Sequence, residues 1–213
     1  MRIKADNRLD ADGTLRGTFT LTAEGQSDSN IRRIFTTGFR SEWKNTMESQ
    51  LLAISPKAKL LSVDYGKNPK DYQAAPIKIT FRYEIPDYAL KGEKEMFFRP
   101  LVMNNLYNQV RSYLRIDTSL KERKYGFKDG CSRLVELDET IQLPAGYKLA
   151  DKNETMQGTG ADFEGSLAQQ GNKVLLHNKL ALKKRVYEAA DWDSFRNAVN
   201  AHKAYGEYLV IKK

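Results

Sequence analysis

Alternation of apolar and polar side chains dominates this chain, interrupted twice by a spacing of about four. In "TLRGTFTLTA", Leu15, Gly17, Phe19 and Leu21 fall on one side and Thr14, Arg16, Thr18, Thr20 and Thr22 on the other, the period-two signature of a half-buried strand. The polar turn "EGQSDS" follows and offers Ser27, Asp28 or Ser29 as an N-cap. Then Ile31, Phe35, Phe39, Trp43, Met47 and Leu51 recur every fourth residue, with Ile34 filling the stripe. This spacing predicts one long amphipathic helix over about 28–54, ending before Pro56, whose apolar stripe needs a sheet to cover.

Strand patterns return in "KLLSVDY" and in "PIKITFRYEI", where Ile77, Ile79, Phe81, Tyr83 and Ile85 alternate with Lys78, Thr80, Arg82 and Glu84. "EMFFRPL" is apolar on both faces up to Pro100 and reads as a strand buried between layers. In the second half, "RLVELDETIQL", "DFEGSLAQ" and "NKVLLHNKLALKKRVY" are strand patterns, the last with Val174, Leu176, Leu180 and Leu182 inward around Asn178. "DWDSFRNAVNAHKAYG" is a helix over about 191–203 with Asp191 as N-cap and Gly206 as stop, and "EYLVIKK" closes as a strand. The fold class is therefore mostly β of the α+β kind: antiparallel, sandwich-like sheets of about nine strands with two helices on them. The chain reads as one domain, 1–213, with two lobes, 1–103 and 131–213, joined by a basic and aromatic loop over 104–130.

Composition narrows the function classes. With 213 residues, 40% of them hydrophobic and 29% charged, the chain has the material for a packed core. No run approaches the roughly 18–20 apolar residues of a membrane span, and the opening "MRIKADNRLDADG" carries no apolar stretch to serve as a secretory signal. One cysteine and two histidines exclude a disulfide scaffold and a zinc cluster, so no metal or cofactor is expected. The net charge of +8 invites an anionic partner, but acidic residues are interspersed with the basic ones and no recognisable module is present, which argues against nucleic acid.

The lone thiol is the natural candidate for chemistry. A cysteine nucleophile needs a base to ionise it, and His177 and His202 are the candidates. His177 has the parity opposite to Leu176 and Leu180 and is expected to face solvent. His202 falls in the last turn of the final helix, where a cation meets the negative end of the dipole. Cys131 itself precedes a strand, so it reads as a half-buried strand-end residue, and no enzyme is expected. Asp138 and Glu139 point to opposite faces of a strand and cannot act as an acid–base pair. "GTGADFEG" lacks the lysine and following helix of a phosphate loop. The candidate ligand or interface residues are instead Tyr107, Arg111, Tyr113, Arg115, Arg123, Tyr125 and Phe127, basic and aromatic in alternation, as suits a glycan, a peptide or single-stranded nucleic acid.

"EMFFRPL", "RKYGF", "IQLPAGYKL" and "NKVLLHNKLALKKRVYEAADWDSFRNAVNAHKAYGEYLVIKK" together resemble the C-terminal β-rich domain of bacterial transglutaminase-like proteins, and "LDADGTLRGTFTLTAEGQSDSNIRR" resembles its start. In that family the Cys-His-Asp machinery lies in a preceding core that this chain does not contain. The resemblance implies a non-catalytic accessory domain of unknown function that packs against or positions that core in the same polypeptide, in the periplasm or cell envelope. The alternative is a glycan- or peptide-binding β-sandwich module.

Overall fold

The period-two segments become strands of one large sheet because each offers an apolar row to a shared core and a polar row to water. A computed structural model describes residues 1–213 except 74, 75, 105, 108, 109, 150 and 151. The main strands are β1 (Arg2–Leu9), β2 (Leu15–Ala23), β3 (Lys59–Asp64), β4 (Ile77–Ile85), β8 (Arg133–Gln142), β9 (Lys152–Met156), β10 (Ala161–Gln170) and β11 (Lys173–Leu182). They form one eight-stranded sheet in the order β3-β4-β2-β1-β8-β11-β10-β9. β5 (Leu90–Lys91) and β6 (Glu95–Phe98) make a small sheet with β13 (Leu209–Lys212), and β7 (Phe127–Lys128) pairs with β12 (Val186–Tyr187).

All neighbours in the large sheet are antiparallel except β1 and β8, which run parallel and join its two halves. The mostly-β α+β class is as expected. The layer lying on the large sheet is helical and irregular: helices α1 (Gly25–Thr36) and α2 (Trp43–Leu52) lie on β2, β3 and β4, helix α3 (Trp192–Ala204) lies on β10 and β11, and the turn at Leu101–Met103 meets β1 and β8. The opposite face carries Lys4, Arg8, Thr18, Arg82, Asp138 and His177, all exposed or half-buried. No helix of the described residues is long and apolar enough to cross a membrane.

The helix expected over 28–54 is broken. α1 ends at Thr36, Thr37 forms its C-cap, and a turn of 3-10 helix at Arg40–Glu42 leads into α2. Thr36 and Thr37 return their hydroxyls to the Arg33 carbonyl, and Glu42 accepts the Phe39 N–H at 3.0 Å, so the backbone groups freed at the break find local partners. The every-fourth spacing concealed this, because Ile31, Phe35, Trp43, Met47 and Leu51 are all buried while Phe39, at the break, is 77% exposed. α1 starts at Gly25, earlier than the proposed caps; Asp28 serves elsewhere, pairing with Arg32 at 2.8 Å and accepting the Ile77 N–H at 2.7 Å. α3 runs over Trp192–Ala204 with Asp191 as its N-cap residue.

Cross-strand aromatic packing pins the register of the first half: Phe19 lies directly opposite Phe81, their rings stacked at 4.3 Å. In the second half, Phe127 stacks on Tyr187 at 4.8 Å and meets Phe195 and Trp192 edge-on. This aromatic cluster closes the end of α3 against the β7–β12 pair.

Candidate functional site

Three polar residues stand in phase with the apolar inner row of the sheet, Asn7 on β1, Glu139 on β8 and Asn178 on β11, and the two asparagines are each cross-strand to a glycine. At the first, Asn7, Gly17 and Tyr83 form one row across β1, β2 and β4. Gly17 has no side chain, so Tyr83 reaches over it and donates its hydroxyl to Asn7 Oδ1. A Cβ at Gly17 would lie 2.9 Å from Asn7 Cα and press still closer on Asn7 Oδ1 and the Asp6 carbonyl. Asn7 Nδ2 donates to Glu139 Oε1 at 2.6 Å, and the Val102 N–H donates to Glu139 Oε2 at 3.1 Å.

Glu139 is the chemically conspicuous member. It is 2% exposed, has no cation paired with it among the described residues, and sits where β8 meets β1. Burial pushes its carboxyl up to about 7, against the opposing pull of the Val102 N–H, Asn7 and the Leu101 N–H. When the acid is protonated, the Asn7 amide turned end for end accepts that proton and donates to Tyr83 Oη; either orientation closes the network. Arg111 clamps the same loop from the other side, its guanidinium donating to the Val102 carbonyl at 3.2 Å. Burial lowers the Arg111 pKa.

The second cluster lies under α3. His202 Nδ1 and Asn178 Oδ1 are 2.6 Å apart, and His202 Nε2 is 3.1 Å from Tyr113 Oη. Since the amide oxygen only accepts, Nδ1 carries the proton and Nε2 accepts from Tyr113. Burial, then the positive charges of Arg111 and Lys203, lower His202 to about 3, and burial raises Tyr113 to about 12. The cation expected at this helix end is therefore a neutral, enclosed imidazole: the sheet beneath α3 removes the water that a charge requires. Gly165, opposite Asn178, admits the Tyr205 ring, which a Cβ would meet at 2.6 Å. Replacing Asn178 with alanine strands the Nδ1 proton of His202 and is expected to cost about 1–3 kcal/mol, read from urea unfolding.

Cys131 is half-buried just before β8 and makes no hydrogen bond among the described residues. It borders an open groove of about 550 Å³ together with Arg2, Glu24, Ser132, Arg133 and Glu136, and no histidine lines that groove. His177 faces outward as expected, and its Nδ1 is 2.6 Å from Asp138 Oδ1. Asp138 and Glu139 do lie on opposite faces, one at the surface and one buried.

The seven loop candidates do not share a surface. Tyr107, Arg111 and Tyr113 are core residues, with the Tyr107 hydroxyl on Met47 Sδ at 3.3 Å. Arg123 is held between the Phe127 and Trp192 rings, 4.7 and 4.6 Å from their centroids, and Phe127 is half-buried. Arg115 and Tyr125 are exposed. Asn7, Glu139, Asn178 and His202 form the buried polar clusters, and the inward parity of Val135, Leu137 and Ile141 was the available signal for Glu139. Among the described residues no group of three or more acidic, histidine or cysteine side chains could hold a metal ion.

Residues 94–210 match the model of a family described as "Domain of Unknown Function with solved-structure structure (DUF3858)". The match begins just before β6 and ends in β13, taking in Glu139 and His202 and leaving β1–β4, α1 and α2 outside. Among solved structures, one described as "a putative protease from Parabacteroides distasonis" is similar with a TM-score of 0.47 and 12% identity. The similarity covers 57% of this chain and 24% of that protein, so the match spans about a quarter of its length. No curated protein gives a significant match.

Proposed function

This chain belongs to the DUF3858 family, whose description names no activity, and we propose from its own residues that it is a non-catalytic accessory domain. Its role in this reading, which rests on the resemblance of the sequence to transglutaminase-associated domains, is to pack against or position a transglutaminase-like core in the same polypeptide, in the bacterial envelope. One observation carries the reading. The thiol and the two imidazoles are separately engaged: His202 between Asn178 and Tyr113, His177 on Asp138, and Cys131 on a groove that no histidine lines. A thiol pathway needs a base within hydrogen-bond reach and a third group to orient it. The buried carboxyl of Glu139 does not supply one, since its oxygens are taken up by Asn7 and the Val102 N–H.

Incubated with glutamine-containing peptides and short peptide amides, the chain is expected to release no ammonia or cleavage product above the rate of Cys131→Ser. Thiol-dependent turnover that vanishes in Cys131→Ser contradicts the reading. The second reading, a glycan- or peptide-binding module, keeps Arg115 and Tyr125 as exposed candidates on the loop. A different part of the surface favours it more.

A further inference from the structure

The first turn of α2 and the loop after β3 line an open pocket of about 340 Å³, within the range of roughly 300–1,000 Å³ usual for small-molecule sites. Its wall includes Arg40, Trp43, Asp64, Tyr65, Lys67 and Asn68. Trp43 is 6% exposed, and its ring packs edge-on against Phe35 at 5.1 Å and Tyr65 at 5.5 Å. The Arg40 guanidinium and the Lys70 ammonium both stand over the indole at 5.8 Å. The indole N–H of Trp43 and the hydroxyl of Tyr65 are buried and have no hydrogen-bond partner among the described residues.

Unpaired buried donors are uncommon in native proteins and ask for an acceptor. Around them, Arg40, Lys67 and Lys70 make no ion pair among the described residues. The loop is also held in shape. Arg32, buried behind it, donates to the Pro69 and Asp71 carbonyls at 3.1 and 2.7 Å. Asp64 Oδ1 accepts the Gly66 N–H and Asn68 Oδ1 accepts the Lys70 N–H, which leaves Asp64 Oδ2 and Asn68 Nδ2 as an acceptor and a donor at the pocket.

From this juxtaposition we propose that the pocket binds an acidic saccharide, its carboxylate on Arg40 and Lys67, its hydroxyls on Asp64 and Asn68, and its ring against the Trp43–Tyr65 wall. Each component of the wall selects for one part of that ligand. Neighbouring cations attract an anion, and a guanidinium suits a carboxylate. An aromatic wall flanked by cations takes a ring body. The Asp64 carboxylate on the same wall repels a second or third negative charge and accepts hydroxyls, so one carboxylate with several hydroxyls fits better than a phosphate ester. The pocket lies outside the span matched by the family model and stands apart from the accessory reading.

The test uses the whole chain and galacturonic acid, which carries one carboxylate and several hydroxyls. The chain has two tryptophans, and the indole N–H of Trp192 is bonded to the Leu120 carbonyl at 3.0 Å, so the two indole signals in a nitrogen-15 spectrum report differently. Expected is a saturable shift of the Trp43 indole signal with the Trp192 signal static. Arg40→Ala and Lys67→Ala, both at exposed positions, are each expected to weaken binding about tenfold, the loss of one charge-assisted contact. No saturable shift at millimolar galacturonic acid overturns the proposal. So does equal binding of neutral galactose, or equal binding of inorganic phosphate with the same dependence on Arg40 and Lys67.

Discussion

Gly17→Ala is expected to destabilise the protein by about 3 kcal/mol or more, because the added methyl enters a packed interior and severs the polar row that crosses it. The methyl has no room on the inner face: Asn7 Oδ1, the Asp6 carbonyl and Asn7 Cα all lie inside contact distance. Neither of the first two is the loose end of a flexible chain, since Asn7 is fixed by Glu139 and Tyr83 and the Asp6 carbonyl belongs to β1. For a chain of this size the loss corresponds to a fall in melting temperature of about 6–12 °C. Asn7→Ala is expected to be destabilising alone, leaving Glu139 and Tyr83 without their shared partner, and the double variant is expected to lose less than the sum of the two. Additive losses, or a Gly17→Ala cost under about 1 kcal/mol, which is ordinary for a tolerated substitution, contradict this.

The second large effect is a pair of opposing pH slopes. Glu139 has a folded pKa raised from 4.5 to about 7, so its contribution is fully present below pH 4.5 and is lost as pH rises through 7. His202 has a folded pKa lowered from 6.5 to about 3, so the unfolded chain takes up the proton first and stability is lost as pH falls from 6.5 toward 3. Each slope is about 1.4 kcal/mol per pH unit, and between 4.5 and 6.5 they cancel. Wild-type stability is therefore expected to change little across that window and to fall between 6.5 and 7. Glu139→Gln preserves the network with the turned Asn7 amide and removes one slope. Its stability relative to wild type is expected to rise with pH between 4.5 and 7, by about 3 kcal/mol in all. Guanidinium unfolding of both proteins at several pH values reads this directly, and a pH-independent difference contradicts it.

The strands with strong alternation, such as β2, β4 and β11, were legible because each presents large apolar residues at every second position. β1 was not, although it lies at the centre of the sheet. Its inward set is Ile3, Ala5, Asn7 and Leu9, in which one member is small and one polar, so the alternation is faint. Asn7 is polar because it serves Glu139 and Tyr83, which makes the functional-looking residue the one that hides the strand. Glu139 was legible as a phase error, a carboxylate in step with Val135, Leu137 and Ile141. Tyr107, Arg111 and Tyr113 defeated the reading for another reason. They lie in turns and irregular backbone, where no period distinguishes inside from outside, and a basic and aromatic composition reads as surface. The Trp43 pocket draws on Arg40 and Lys67 from opposite sides of β3, a proximity that only the tertiary fold creates.

The central element is Glu139, a buried carboxyl that ties β8 to β1 where the two halves of the sheet join. A carbon-13 NMR titration of the Glu139 side-chain carboxyl tests that most directly. The expected midpoint is about 7, with the acid form present throughout the mildly acidic range. A midpoint at the ordinary value of 4.5 would mean a solvated carboxylate at the β1–β8 joint, and the buried seam described above would not exist.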